Sequence, residues 1–301
     1  MPHRQPGHIH VQDFLDNDPT ISTAKYAAIL GLTPSKGARS PLLWNAAFKA
    51  GEIDAAMVPM DVTPENLAGL VAALKADKRY VGGAVAVPHK QEIAKLLDRL
   101  EPEAERIGAV NAIYRDGDAL VGANTDGAGA LSQIADALPD LGGRKAVLIG
   151  LGGAGIAVAA YLAGAVKELV VANRTETKAK EAAIRLGDNV SSAPLPLTGE
   201  LLSDCGVLVN CTTAGYQDGP AGTPLGAEAD TLLDALPSDA LVYDIIYQPL
   251  ETELLSRAAQ RGLKTRNGLG MNLDQAVIAF QKANPGALSI DRVRDAMRNA
   301  G

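Results

Sequence analysis

The chain has 301 residues, 47% of them hydrophobic and 4% aromatic, with 31 glycines and a formal net charge of −7. That length holds two domains with a core each, and a composition built on small aliphatic residues suits an α/β enzyme. The acidic balance argues against nucleic-acid and anionic-membrane partners while leaving room for a local cationic pocket that takes a small acid.

The opening stretch, Met1 to Asp18, is polar, contains Pro2 and Pro6 and is followed by Pro19. It lacks the apolar core of a signal peptide and reads as a flexible N-terminal extension over residues 1–23. Its histidines, His3, His8 and His10, read as part of that loose tail and not as metal ligands. No apolar run reaches the length of a membrane span. The cysteines, Cys205 and Cys211, are too few for a disulfide framework and wrongly spaced for a paired zinc motif, so no metal is expected and a reduced, cytoplasmic setting is.

Ala24 to Leu30 reads as a short buried strand ended by Gly31. A loop containing Lys36, Gly37, Ala38 and Arg39 follows, then a helix with Ser40 as the expected N-cap and Pro41 in its first turn. Ala55 to Pro59 is a second strand, Thr63-Pro64 caps a helix running to about Ala76, and Gly82 to Val87 is a third strand. Strands alternating with helices imply a mostly parallel sheet covered on both faces. Pro88-His89-Lys90 then places Lys90 at a strand's carboxyl end, where ligands bind in open α/β sheets, although a surface lysine before a helix would look the same. Gly108-Ala109-Val110-Asn111 and Asn124-Thr125-Asp126-Gly127 come next; the latter can cap a helix from Gly127 to Leu138, and Pro139 to Arg144 reads as a linker.

Beyond the linker, Lys145 to Ile149 is an apolar run that breaks into Gly150-Leu151-Gly152-Gly153-Ala154-Gly155 and restarts as an Ala-rich helical pattern. Strand before and helix after are the context a dinucleotide fingerprint needs. Gly150 permits the tight turn, Gly152 or Gly153 lets the backbone approach a pyrophosphate at the helix N-terminus, and Ala154 and Gly155 allow close helix packing. The next strand, Glu168 to Ala172, ends in Asn173-Arg174-Thr175 with Lys178 just beyond, and carries no acid where an NAD site usually holds one for the ribose hydroxyls. Arg174 and Lys178 offer positive charge to a 2′-phosphate, so NADP is preferred, with NAD possible. Thr175 also serves as an ordinary N-cap. Val207 to Asn210 and Leu241 to Asp244 are further strands, Leu254 to Arg261 a helix, Leu263-Lys264-Thr265 an edge strand, and Asn267-Gly268-Leu269-Gly270-Met271 turns the chain into a helix containing Gln275.

Taken together, these pieces resemble the shikimate dehydrogenase family from about Ala27 to Phe280. The motifs occur in the family's order: Pro88-His89-Lys90, the stretches ending at Asn111 and spanning Asp126, the glycine loop, Asn173-Arg174-Thr175, Asp244 with Tyr247, Pro249 and Thr252, and Asn267-Gly268-x-Gly270-Met271 with Gln275. The resemblance implies an α/β fold with a substrate domain (24–126, completed by 268–301), a Rossmann-type NAD(P) domain (127–267) and the active site in the cleft between them. It further implies hydride transfer between a nicotinamide and a ring hydroxyl or ketone of a shikimate-like hydroxylated cyclic carboxylate. The family's catalytic lysine and aspartate fall on Lys90 and Asp126. Asn111, Tyr247 and Gln275 match substrate-binding positions, as does Ser40 in the first loop, where Arg39 is a further candidate, and Thr212, Gly268 and Met271 join the cofactor set. A monomer or homodimer is expected.

Two positions depart from the family. In Gly37-Ala38-Arg39-Ser40-Pro41, Ala38 stands where a serine is usual, and in Val85-Ala86-Val87-Pro88-His89-Lys90, Ala86 replaces a threonine. Both lost hydroxyls would touch the substrate around its carboxylate. Lys36 and Arg39 are new cations in the same loop that could grip it instead. A divergent paralogue acting on shikimate, quinate or aminoshikimate is the leading reading; a catalytically weak nucleotide-binding regulatory module is the competing one, opposed by the retention of Lys90, Asn111, Asp126 and Gln275 together.

Overall fold

The computed structural model of the chain describes residues 10–217 and 219–300. The described residues divide into two compact units, one of those up to 125 with those from 276 onward, and one of those between 126 and 275.

In the first unit, strand β1 (Lys25–Gly31) is followed by helix α1 (Ser40–Ala50), β2 (Ala55–Asp61), α2 (Leu67–Ala76), β3 (Tyr80–Val85), β4 (Arg99–Leu100), α3 (Pro102–Ile107), β5 (Ala112–Asp116) and β6 (Ala119–Ala123). The sheet has six strands in the order β2-β1-β3-β5-β6-β4. β1 pairs in parallel with both β2 and β3, whereas β5 runs antiparallel to β3 and β6. The continuous apolar run of β1 follows from being covered on both faces. Pro59 is tolerated because β2 lies at the sheet edge, where a missing N–H can face away from the ladder. The Leu43, Trp44, Ala47 and Phe48 face of α1 is buried, and Trp44 stacks edge-on to Phe280 with ring centroids 5.2 Å apart.

The second unit starts with the body of α4 (Thr125–Ala137) and continues through β7 (Lys145–Ile149), α5 (Gly153–Ala163), β8 (Glu168–Ala172), α6 (Glu176–Leu186), β9 (Val190–Ala193), α7 (Gly199–Leu202) and β10 (Cys205–Asn210). Then come α8 (Ala229–Asp234), β11 (Leu241–Asp244), α9 (Glu253–Gln260), β12 (Lys264–Arg266) and α10 (Leu269–Ala283), whose second half belongs to the first unit, as does α11 (Ile290–Arg298). All six strands are parallel, in the order β12-β11-β10-β7-β8-β9. That is the doubly wound order, with its switch point between β7 and β10, so the carboxyl ends of these two strands are where a ligand belongs.

Several local expectations are corrected. Residues 1–9, with His3 and His8, lie outside the described residues, but from residue 11 on the extension is docked and not a loose tail. Val11 is part of the first unit's core, Phe14 packs against it, and Asp16 donates its backbone N–H to the Asp61 carbonyl at 2.9 Å. Burying an apolar residue every few positions is enough to hold so short a segment. Arg39, not Ser40, occupies the N-cap of α1, and no side chain caps it. Helix α2 begins only at Leu67, because Thr63 to Asn66 form a preceding turn. Lys90 is followed by a 3₁₀ turn (Ile93–Lys95) and not by a helix. β5 and β6 form a hairpin with Asp116-Gly117 at its turn, a dipeptide that favours hairpins.

Candidate functional site

On the first unit, the residues expected to meet substrate sit on the loops that leave the carboxyl ends of β1 and β3 and the start of β5. The loop carrying Lys90 is fixed from several sides. His89 is buried and its Nε2 meets the Val62 carbonyl at 2.9 Å, which requires the proton on that nitrogen. The His89 backbone N–H donates to Ala86 O at 3.1 Å, and the Lys90 carbonyl accepts from Val110 at 2.7 Å. Lys90 itself is half-buried. Asn111 is buried, and its side chain accepts from the Thr125 backbone N–H at 2.7 Å and donates to Thr125 Oγ1 at 3.1 Å. Ala38, Ser40 and Ala86 are half-buried, whereas Lys36 and Arg39 are exposed.

On the second unit, Asp126 is half-buried in the first turn of α4, where the helix dipole favours a carboxylate. The fingerprint loop lies after β7. Gly150 has φ +98, and a Cβ there would come within 2.8 Å of Thr212 Cγ2. A Cβ at Gly155 would lie 2.0 Å from Gly150 O, so α5 packs against its own loop. Around Gly152 and Gly153 there is open space, as a bound phosphate requires.

Asn173 Oδ1 accepts from the Leu151 N–H at 3.0 Å and its amide donates to Thr175 O, so the ends of β7 and β8 are tied together. Thr175 does sit at the N-cap of α6, but its side chain makes no capping bond. Glu176, the acid of that turn, pairs with Lys180 at 2.6 Å, not with Arg174 or Lys178, both exposed. Gly150, Gly152, Asn173, Arg174, Thr175, Lys178 and Thr212 line one cavity of about 460 Å³ together with Leu195 and Ala214. Gly153, Ala154, Gly155, Gly268 and Met271 are not in its lining.

A buried network below this cavity was largely missed by sequence reasoning. Asn210 Oδ1 accepts both the N–H and the hydroxyl of Thr212, at 2.9 and 2.8 Å. Its amide donates to Asp244 Oδ1 at 3.1 Å, and Thr252 Oγ1 donates to Asp244 Oδ2 at 2.8 Å. Burial pushes the Asp244 carboxyl above its ordinary range, against the hydrogen bonds from Ile246 N–H, Thr252 and Asn210. Polar residues at consecutive strand ends, Asn210 and Asp244, were the available signal. Gly268 cannot be replaced, since a Cβ would lie 1.8 Å from Ile245 O. Met271 is buried, Tyr247 half-buried, and the Gln275 amide donates to Asn272 O at 3.1 Å. Both cysteines are free and buried, which raises both thiols, Cys205 to about 12. Among the described residues no group of His, Cys, Asp or Glu could hold a metal, and no helix is long and apolar enough to cross a membrane.

The expected site residues therefore fall in both units: Arg39, Ser40, Lys90 and Asn111 in the first, and Asp126, Tyr247, Gln275 and the cofactor set in the second. The family model described as "Shikimate dehydrogenase substrate binding domain" matches residues 32–113, and that described as "Shikimate / quinate 5-dehydrogenase" matches residues 132–217. A relative from Mesorhizobium japonicum named shikimate dehydrogenase (NADP(+)) is 38% identical over 263 residues, spanning 87% of this chain and 91% of its own. The shikimate 5-dehydrogenase of Listeria monocytogenes, solved with shikimate and NAD, superposes with a TM-score of 0.80 at 28% identity, over 93% of this chain and 99% of that one. The Thermus thermophilus enzyme, solved with NADP(H) and shikimate, gives a TM-score of 0.74 at 29% identity, over 92% of this chain and 100% of that one.

Proposed function

The chain belongs to the shikimate dehydrogenase family, and from that premise we propose that it is an NADP-linked oxidoreductase acting on a hydroxylated cyclic carboxylate of the shikimate type. The observation that carries this reading is the cavity in which the fingerprint loop and the two cations Arg174 and Lys178 converge. The residues fit the cofactor: the space at Gly152 and Gly153 takes the pyrophosphate, and the guanidinium of Arg174 can grip a 2′-phosphate bidentately.

Bound NADP+ supplies a hydride acceptor at its nicotinamide ring. With the cofactor bound, the carbinol carbon would give up a hydride and its oxygen a proton, and that proton needs an acid/base group of this chain. Lys90 and Asp126 serve as the acid/base pair for the proton. Asn111, Tyr247 and Gln275 bind hydroxyls or the carboxylate, Gly268 and Met271 line the nicotinamide position, and Thr212 borders the pyrophosphate. The protein works in the cytoplasm as a monomer or homodimer, without nucleic acid.

Ala38 and Ala86 point to a divergent member. A missing hydrogen bond to a charged group is worth about 1.5–3 kcal/mol, so two together weaken shikimate recognition by roughly two to four orders of magnitude unless Lys36 and Arg39 compensate. A panel of shikimate, quinate and aminoshikimate, followed by nicotinamide absorbance with NADP+ and NAD+ in parallel, tests the proposal. Turnover of none of them with either cofactor would leave the regulatory-module reading in its place.

A further inference from the structure

Asp61 closes β2 and is only 7% exposed, yet nothing in the activity described above uses it. Its carboxylate accepts the backbone N–H of Ser35 at 2.9 Å and the Ser35 hydroxyl at 2.5 Å. Ser35 belongs to the loop between β1 and α1, the one that carries Lys36, Ala38, Arg39 and Ser40. Inside that loop the turn is held by local backbone bonds, from Lys36 to Thr33 O at 3.0 Å and from Ala38 to Pro34 O at 3.1 Å. Such bonds shape a loop without fixing its place on the body of the protein.

Buried Pro34 seats the start of the loop near Gly31, and Asp61 supplies the polar grip on it; Asp61 is itself held from behind. Its N–H donates to Asn17 Oδ1 at 2.9 Å, the Asn17 amide donates to Pro59 O at 2.9 Å, and the Asp61 carbonyl accepts from Asp16. The docked N-terminal segment therefore backs β2, β2 holds Asp61, and Asp61 holds the loop. We propose that Asp61 is a positioning residue for substrate recognition: by gripping Ser35 it sets where Arg39 and Ser40 stand, without touching substrate. This rests on the reading that the loop faces the substrate.

The chemistry gives a discriminating variant. Asp61→Asn can keep both contacts, its Oδ1 accepting the Ser35 N–H and its amide donating to the Ser35 hydroxyl, whereas Asp61→Ala loses both. Hydrogen exchange of the full chain is expected to rise about tenfold or more across residues 32–39 in Asp61→Ala, and to stay near wild type in Asp61→Asn. In steady-state kinetics with the best substrate of the panel, Asp61→Ala should raise its KM about tenfold, with kcat and the KM for NADP+ within about threefold of wild type. Ser35→Ala, at an exposed position that leaves the core intact, should raise the same KM by about threefold to tenfold and add little on top of Asp61→Ala.

Unchanged loop exchange in Asp61→Ala, an Asn variant as impaired as the Ala variant, or a loss confined to kcat would each overturn the proposal. If Asp61→Ala does not fold, an indifferent Ser35→Ala does so. Absence of any wild-type turnover would count against the assigned activity alone, because the exchange measurement needs no substrate.

Discussion

The side-chain carbonyl of Asn111 accepts the backbone N–H of Thr125 at 2.7 Å, next to the position that carries Asp126. The Asn111 backbone is equally committed: its carbonyl accepts from Val85 at 2.8 Å, at the end of the strand that leads to Lys90, and its N–H donates to Ala123 O at 3.1 Å. One buried asparagine thus joins the end of β3, the end of β6 and the residue preceding Asp126. Positioning of this kind matters for hydride and proton transfer, where a displacement of about 1 Å can cost a hundredfold in rate.

If Lys90 and Asp126 form the acid/base pair, Lys90→Ala and Asp126→Asn should each lower kcat by about a hundredfold or more, with cofactor binding nearly unchanged. Stopped-flow or steady-state turnover together with fluorescence titration of NADPH separates the two quantities. Wild-type turnover in both variants would remove the pair from the mechanism.

The strands of the nucleotide unit were legible because a parallel strand buried on both faces leaves a continuous apolar run: Glu168–Ala172 and Leu241–Asp244 were read with their observed bounds. The glycine loop was legible for a different reason, since a turn such as that at Gly150, with φ +98, restricts the residue type. Long-range polar contacts leave no such trace. Nothing local in Met-Asp-Val tells that Asp61 reaches Ser35, 26 positions away, or that Asn210 meets Asp244, 34 positions away. The docking of Val11 was hidden as well, because a few apolar residues among polar ones look like a tail until the α2 surface they cover is known.

Cofactor choice should reside in Arg174. Glu176 is engaged with Lys180, and the exposed Arg174 lines the cavity. Arg174→Ala is expected to raise KM for NADP+ by about tenfold or more and to change KM for NAD+ little, because only the former has a 2′-phosphate to lose. A wild-type enzyme that prefers NAD+ would refute the assignment.

Thr252 should show a pH-dependent contribution to stability. The Asp244 carboxyl is pushed up by burial, while the Thr252 hydroxyl is among the bonds that favour its charged form. A raised folded-state pKa means that the charged carboxyl costs stability above that pKa, and that this cost is relieved as pH falls through it. Thr252→Val removes one bond to the charged form and also the cap that Leu255 N–H finds at 3.4 Å. Loss of stability of about 1.5–3 kcal/mol, or roughly 3–10 °C in Tm, is expected above the raised Asp244 pKa, narrowing as pH falls through it. Thermal melts of both proteins across the pH range check this; a gap that widens towards acid would reverse the sign.

The loop proposed to meet substrate gives the sharpest test of specificity. Ala86 is half-buried, its N–H is held by Leu30 O at 2.8 Å, and its Cβ faces the bare side of Gly31, where an added Cβ would sit 3.2 Å away. A side chain at position 31 would therefore crowd position 86. Wild-type kcat/KM for shikimate is expected below the usual enzyme range of about 10⁴–10⁸ M⁻¹s⁻¹. The double variant Ala38→Ser with Ala86→Thr restores two donors and should raise it by about tenfold or more, if the exposed cations of the loop have not taken over the carboxylate. If they have, Arg39→Ala should abolish binding of acidic substrates and the restored hydroxyls should add little. Efficient wild-type use of shikimate together with an indifferent Arg39→Ala variant would show that neither the two alanines nor the new arginine governs recognition.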